Sequence, residues 1–163
     1  MGLFCQGQTI LRKRTTLKFD PSSSAWIGLR VTVVSNRYLY PLNAELERKY
    51  KVLRDDVAVL SCLSITSATT AQEIVRYTGR PKNSISRAVA KLEAESILRR
   101  KAHLRDGRAS TLYLTARGKK LFAQIRHFFA ERDQRLIEVL SEKEKSEFNR
   151  LLTKISEASA DWS

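Results

Sequence analysis

Apolar positions change period several times along the chain, and each change marks an element. From Trp26 onward, Trp26, Ile27, Val33, Val34, Leu42 and Leu46 follow a long helical pattern. PSSSAW, Pro21 to Trp26, precedes it with serines available as N-caps. Pro41 interrupts the pattern. A proline inside a helix removes a hydrogen bond and kinks the axis, so one kinked helix or two helices meeting near Tyr40 are expected. RDDVAVLSCLSI, Arg54 to Ile65, reads as the next helix, with Val57, Leu60, Cys62 and Leu63 mostly on its apolar side. Its opening acids, Asp55 and Asp56, suit the positive end of a helix. TSATT then breaks the pattern.

Thr70 and Glu73 form a T-x-x-E capping box. Ala71, Ile74, Val75 and Thr78 give the short helix that follows one apolar side, and Gly79 stops it. Pro81 opens another helix through about Glu95, its fixed φ suiting the first turn. Two helices joined by a turn of about three residues containing a glycine are the mark of a helix-turn-helix. Leu98 to Leu104 and Ser110 to Leu114 then read as two strands around RDGRA. A helix capped by Thr115 carries Leu121, Phe122, Ile125, Phe128, Phe129, Leu136, Ile137 and Leu140. Ser141 with Glu144 is a second capping box, opening a last helix with Phe148, Leu151, Leu152, Ile155 and Ala158 at helical spacing. No internal repeat is visible.

Charge changes this picture from a fold into a function. Lys and Arg number 30 against 17 Asp and Glu, a net charge of +13, which implies an anionic partner, most often nucleic acid and less often a membrane surface. No apolar run approaches the roughly 18 residues a membrane span needs. The first residues do not read as a signal peptide, because their charges follow their apolar residues. Gly2 lacks the Ser or Thr that myristoylation expects, Gln6 standing there instead. Cys5 and Cys62 make no disulfide framework, so a cytoplasmic protein is expected. Neither they nor His103 and His127 show zinc-ligand spacing, and no nucleophile elbow, phosphate-binding glycine loop or H-E-x-x-H appears. No enzyme, metal or cofactor is expected.

The second helix of the pair, PKNSISRAVAKLEAES, concentrates the cationic signal. At 100° per residue Ile85, Ala88, Val89 and Leu92 share one arc and must face the core. Asn83, Arg87, Ala90 and Ala94 then face outward, flanked by Ser84, Ser86 and Lys91. This face holds no acid until Glu93. Short hydroxyls and an amide beside an arginine suit a helix lying in the major groove, where Asn can be bidentate to adenine and Arg to guanine. From Arg80 to Arg108 nine cations stand against three acids, enough to make binding strongly salt-dependent. In RDGRA, Gly107 permits a tight turn, and Arg108 is suited to a narrow, negative minor groove.

NSISRAVAKLEAESILRR, RDGRAS with its D-x-R at Asp106 and Arg108, and LYLTARGKKLF, in that order, resemble the MarR-type winged helix-turn-helix transcriptional regulators. The resemblance covers about 140 residues and leaves out the basic arm of residues 1–20, which carries Arg12, Lys13, Arg14 and Lys18. It implies a mostly α fold with a small two- to three-stranded β-wing, and a winged helix-turn-helix with flanking dimerisation helices. Residues 21–50 would be a dimerisation helix, 51–115 the DNA-binding lobe, and 116–163 the C-terminal dimerisation helices. The helix from Lys82 to Glu95 would enter the major groove, and Arg108, braced by Asp106, the adjacent minor groove. Two positions depart from the family pattern. Ser96 stands where glycine is usual, and Pro81 where a Ser or Thr cap is common.

The expected DNA contacts are therefore Lys82, Asn83, Ser84, Ser86, Arg87, Lys91, Asp106 and Arg108, with Arg105 open between phosphate contact and plain surface charge. Many members of the family bind small anionic aromatics. Trp26, Arg30, Tyr38 and Tyr40 are candidates for such a pocket, and core or interface packing is the alternative for them. Redox sensing at Cys5 or Cys62 has no resolving partner in the sequence. The functional expectation is a sequence-specific, homodimeric, ligand-responsive repressor on a pseudo-palindromic operator in double-stranded DNA. The rivals are a non-specific architectural DNA-binding protein, and a winged-helix module that docks on protein or RNA.

Overall fold

The structure, a computed structural model, describes residues 18–20, 23–102 and 110–159. The basic residues Arg12, Lys13 and Arg14, the wing residues Arg105, Asp106 and Arg108, and Cys5 lie outside the described residues. Two compact units divide the chain, Met1–Ser35 and Asn36–Ser163.

Helix α1 (Ile27–Tyr50) begins in the first unit and ends in the second. It starts after the serines rather than among them. Ser23 Oγ accepts from the Ala25 N–H (3.1 Å) in the preceding turn, and Trp26, left-handed at φ 64°, supplies the carbonyl for the Arg30 N–H (2.9 Å). Pro41 lies inside this single helix, whose next turn buries Leu42 and Leu46.

The second unit continues with α2 (Arg54–Thr66), β1 (Thr69–Thr70), α3 (Ala71–Thr78), α4 (Lys82–Ala94), β2 (Leu98–Ala102), β3 (Ser110–Leu114), α5 (Ala116–Ile137) and α6 (Glu142–Ala158). The strands form an antiparallel sheet in the order β1-β3-β2, with Thr69 opposite Leu112 on one side and Arg100 opposite Leu112 on the other. β1 comes from the stretch TSATT, where only a break in helical pattern is visible. Its two residues are too few to carry an alternation, and the capping box that follows occupies one of them. Leu140, expected on α5, lies past its end in a turn closed by its N–H on the Ile137 carbonyl (3.0 Å).

One core joins α2, α3, α4, the sheet and α5. Leu60 and Leu63 of α2, Ile74 of α3, Ile85, Val89 and Leu92 of α4, Leu98 and Leu112 of the sheet, and Ile125 of α5 are all buried. Each side chain of this size withdrawn from water contributes about 1.5–3 kcal/mol of gross burial energy.

The joint between α4, the sheet and α5 explains two motifs. Ser96 sits left-handed at φ 57° and ends α4. Its N–H bonds the Glu93 carbonyl (2.9 Å), and the Ile97 N–H bonds the Leu92 carbonyl (2.8 Å). That pair of bonds is a Schellman closure, with buried Ile97 and Leu92 as its apolar contact. The chain thus keeps a glycine-type turn with a serine in it. Thr115 then caps α5 by accepting from the Gly118 N–H (3.1 Å), while its hydroxyl reaches the Ser96 carbonyl (2.8 Å) and its N–H the Ile97 carbonyl (3.0 Å). L-T-x-x-G is the sequence of that joint.

A candidate nucleic-acid interface

The helix pair is locked at each end before it presents any side chain. Thr70 Oγ1 accepts from the Glu73 N–H (3.2 Å), and the Glu73 carboxylate accepts from the Thr70 N–H (2.8 Å) and the Thr69 hydroxyl (2.9 Å). The Thr70 N–H bond, with the threonine hydroxyls behind it, holds the Glu73 carboxyl below the usual range. Gly79, at φ 61°, closes α3 with its N–H on the Val75 carbonyl (2.9 Å). Pro81 is the residue before α4 (φ −57°, ψ 135°) rather than its first residue, as expected from its ring alone. Its carbonyl accepts from the Ser84 and Ile85 N–H groups, and no side chain caps the helix. Uncapped first-turn amides are an attractive surface for phosphate.

α4 buries Ile85, Ala88, Val89 and Leu92, the arc the spacing indicates. Lys82, Asn83, Ser86, Arg87, Ala90 and Ala94 are exposed, and Ser84 is half-buried. One continuous face therefore presents a lysine, an amide, a hydroxyl and an arginine, with two alanines that let a groove wall approach.

Three cations of this stretch are engaged inside the protein. Arg80 bonds Asp55 through Nε and Nη2, each at 2.6 Å. Arg100 Nε donates to Glu93 Oε2 (2.7 Å). Lys91, expected among the DNA contacts, turns its ammonium to Asp56 Oδ2 (2.5 Å) and the Lys51 carbonyl (2.8 Å) in the DNA-free chain. The reason is Asp56: its side chain is only 2% exposed and needs a cation. Removing one partner of a buried pair typically costs about 3–5 kcal/mol. The Lys91 side chain keeps 31% exposure, which puts this pair toward the lower end of that range. Lys82, Arg87 and Lys101 have no ion pair among the described residues, so the usable positive charge is less than composition suggests.

Asp56 is the buried partner of the interface helix that the sequence pattern conceals. As one of two opening acids it reads as a dipole partner, but it shares the buried stripe of Leu60 and Leu63. That spacing of four and then three residues was the available signal.

Of the four candidate pocket residues, two are exposed and two have partners within the chain. In the first unit Trp26 is 70% exposed, and the Arg30 guanidinium lies 5.7 Å from the Phe19 ring centre. In the second, Tyr40 is exposed, and the Tyr38 hydroxyl donates to Asp133 Oδ1 (2.7 Å). Burial first, and the Asp133 carboxylate second, raise the Tyr38 pKa. A cavity of about 510 Å³ opens elsewhere, between the end of α2, the sheet and α5. Leu63, Arg99, Tyr113, Lys119, Phe122 and Arg126 line it, with the Arg99 guanidinium 5.6 Å from the Tyr113 ring centre. Burial raises the pKa of the half-buried Cys62 thiol, the opposite of what an oxidant sensor requires. Among the described residues no cluster of acids, histidines and cysteines could hold a metal ion, and no helix is long and apolar enough to cross a membrane.

Residues 52–109 match the model of the MarR family. The HTH-type transcriptional regulator BilQ of Clostridium symbiosum (strain WAL-14163) is 34% identical over 70 residues, 43% of this chain and 49% of BilQ, so the match spans about half of that relative. A MarR/EmrR family transcriptional regulator from Acinetobacter sp. ADP1 superposes with a TM-score of 0.71 at 26% identity, covering 80% of this chain and 92% of the other. A putative MarR family regulator from Listeria monocytogenes, solved with a 26mer DNA, shares the fold at a TM-score of 0.76 and 18% identity, over 83% of this chain and 89% of that one.

Proposed function

We propose that this chain, a MarR-type winged helix-turn-helix transcriptional regulator, binds a pseudo-palindromic operator as a homodimer and releases it when a small anionic aromatic effector binds. The observation that carries the DNA reading is the exposed face of α4, where Lys82, Asn83, Ser86 and Arg87 stand free of acids over a fully buried opposite arc. Ser84 flanks it, and the family resemblance would add Arg108 with Asp106, both outside the described residues, as the minor-groove contact. Half-sites would lie about one helical turn, roughly 10 bp, apart. Bound over a promoter, such a dimer excludes polymerase, so the regulator is a repressor.

The dimer is supported by α6. This helix buries none of its residues, yet Phe148, Leu151, Leu152 and Ile155 lie at helical spacing with 40–56% exposure. An amphipathic helix gains its stability by covering such a face, and a second copy of the chain would do so. The effector reading moves from Trp26, Arg30, Tyr38 and Tyr40 to the α2–sheet–α5 cavity. Its volume of about 510 Å³ suits a small molecule. Its three cations beside Tyr113 and Phe122 suit an aromatic anion. Such a ligand acts by binding one arrangement of the dimer better than the other.

The test is selection of duplexes from a random-sequence library by the full chain, followed by affinity measurements across salt. Enrichment of an inverted repeat is the expected result. Tight, salt-dependent binding without enrichment would instead make the protein an architectural coater, and no duplex binding at low salt would leave the protein- or RNA-docking reading. Arg108→Ala should flatten the plot of log affinity against log salt by about one phosphate equivalent. Arg87→Ala should change the selected sequence. If it lowers affinity equally on all sequences, Arg87 is a phosphate contact.

A further inference from the structure

We propose that Lys91 is a positioning residue of the DNA-reading helix and makes no DNA contact itself. Its ammonium pins α4 to the start of α2 and to the end of α1. The inference rests on the reading of α4 as the helix that enters the major groove.

Three segments meet at this ammonium. Asp56 Oδ2 accepts from Lys91 Nζ (2.5 Å) and from the Leu53 N–H (2.8 Å), so the carboxylate also fixes the first turn of α2. The Lys51 carbonyl, which takes a second ammonium proton (2.8 Å), belongs to the left-handed residue (φ 59°) that follows α1. Lys91 reaches them because it stands three residues after buried Ala88 and one before buried Leu92, at the border of the core arc.

The neighbouring acid makes this a two-point attachment. Asp55 holds Arg80 in the turn before α4, while Asp56 holds Lys91 near the end of α4. Two consecutive carboxylates of α2 thus hold the recognition helix from both sides, through Arg80 before its first turn and Lys91 in its last. A single contact leaves a helix free to pivot about it. A second contact, at the other end of α4, restrains its pitch together with the buried arc, and pitch decides which bases Asn83 and Arg87 reach. If Lys91 swung to a phosphate, Asp56 would keep only the Leu53 N–H inside the core.

The test uses the full chain with two probes: a duplex selected by the parent protein from a random library, and poly(dI–dC). Lys91→Met and Asp56→Asn are measured singly and together, over a series of salt concentrations, with far-UV circular dichroism and thermal melts as folding checks. We expect each single variant to lose roughly 10- to 100-fold on the selected duplex, the size of one or two lost base contacts. Binding to poly(dI–dC) and the salt slope should stay at parent values, and the double variant should lose no more than the worse single one. Lys91→Arg, which keeps the charge, should recover most of the loss. A salt slope lowered by about one in Lys91→Met, with equal loss on both probes and parent-like affinity in Asp56→Asn, would overturn the proposal and make Lys91 a phosphate contact. If Lys91→Met does not fold, the isosteric Asp56→Asn decides alone, and parent-like selectivity in it overturns the pin. A parent protein that binds neither probe fails the DNA reading itself, and the positioning role falls with it.

Discussion

Gly118→Ala sets two physical effects of opposite sign against each other. Gly118 lies in the first turn of α5, where helix propensity alone predicts that alanine stabilises by about 1 kcal/mol. Packing predicts the reverse. A Cβ at this position would stand 2.1 Å from the Ile97 carbonyl oxygen and 3.2 Å from Leu114 Cδ2. A carbon–oxygen contact needs about 3.3 Å, so something must move by roughly 1 Å. The carbonyl is held by the Thr115 N–H (3.0 Å) and hydroxyl (3.1 Å), and the helix start is held by the Thr115 cap. Moving them apart forfeits a cap of about 1 kcal/mol and a hydrogen bond of similar size, with overpacking strain of about 1–3 more. Set against the propensity gain, the net expectation is a loss of about 3 kcal/mol. For a chain of this size that lowers the Tm by roughly 6–12 °C. Thermal unfolding followed by far-UV circular dichroism, at one fixed protein concentration, reads it directly. A variant as stable as the parent, or more stable, would refute the close approach of α5 to Ile97 as the reason for the glycine in L-T-x-x-G.

Ser96→Gly should act in the opposite direction. The serine holds φ 57° without the freedom of glycine, so the substitution should add about 1 kcal/mol, and an unchanged or lowered Tm would mean the turn is not strained. The capping box of α3 predicts an acid limb. The Glu73 carboxyl lies below its ordinary value of 4.5, so its contribution is complete above that value and lost as pH falls through the lowered one. Glu73→Gln should remove that part of the pH dependence, and urea melts with superimposable acid limbs for both proteins would refute it. On α6, Leu152→Glu with Ile155→Glu places two charges on the uncovered face. Sedimentation should then show a monomer, and a retained dimer would exclude that face from the interface.

Local patterns were legible wherever one residue type has one cheap conformation to serve. Thr70 with Glu73, Gly79, Thr115 and Ser141 with Glu144 all cap the helices their spacing indicates. The buried arc of α4 follows from its period alone. Pro41 was ambiguous because the same residue can bend a helix or end one, and only the packing of Leu42 and Leu46 beyond it decides for continuation. β1 was invisible because a two-residue strand exists only through its partner β3, whose paired residues lie 41 and 43 positions later in the sequence.

Lys91 shows why the candidate site was harder to read than the fold. On α4 alone its flank position is compatible with a phosphate contact, and nothing within the helix says otherwise. The deciding residue lies 35 positions earlier, and it too is ambiguous in isolation, since an acid in a first helical turn has a ready explanation in the helix dipole. Only when α2 packs on α4 does the carboxylate become buried and the ammonium become its partner. Periodicity reports which face of one helix is apolar, but charge pairing between helices depends on their relative rotation, which no single helix encodes. The same limit applies to Arg80 and Arg100, each counted as available charge until a facing acid takes it. Basic residues on a recognition helix are therefore better ranked by what their neighbours in space require of them than by number, and by that measure Arg87 and Lys82, which owe nothing to any described acid, rank first among the cations of α4 proposed to face DNA.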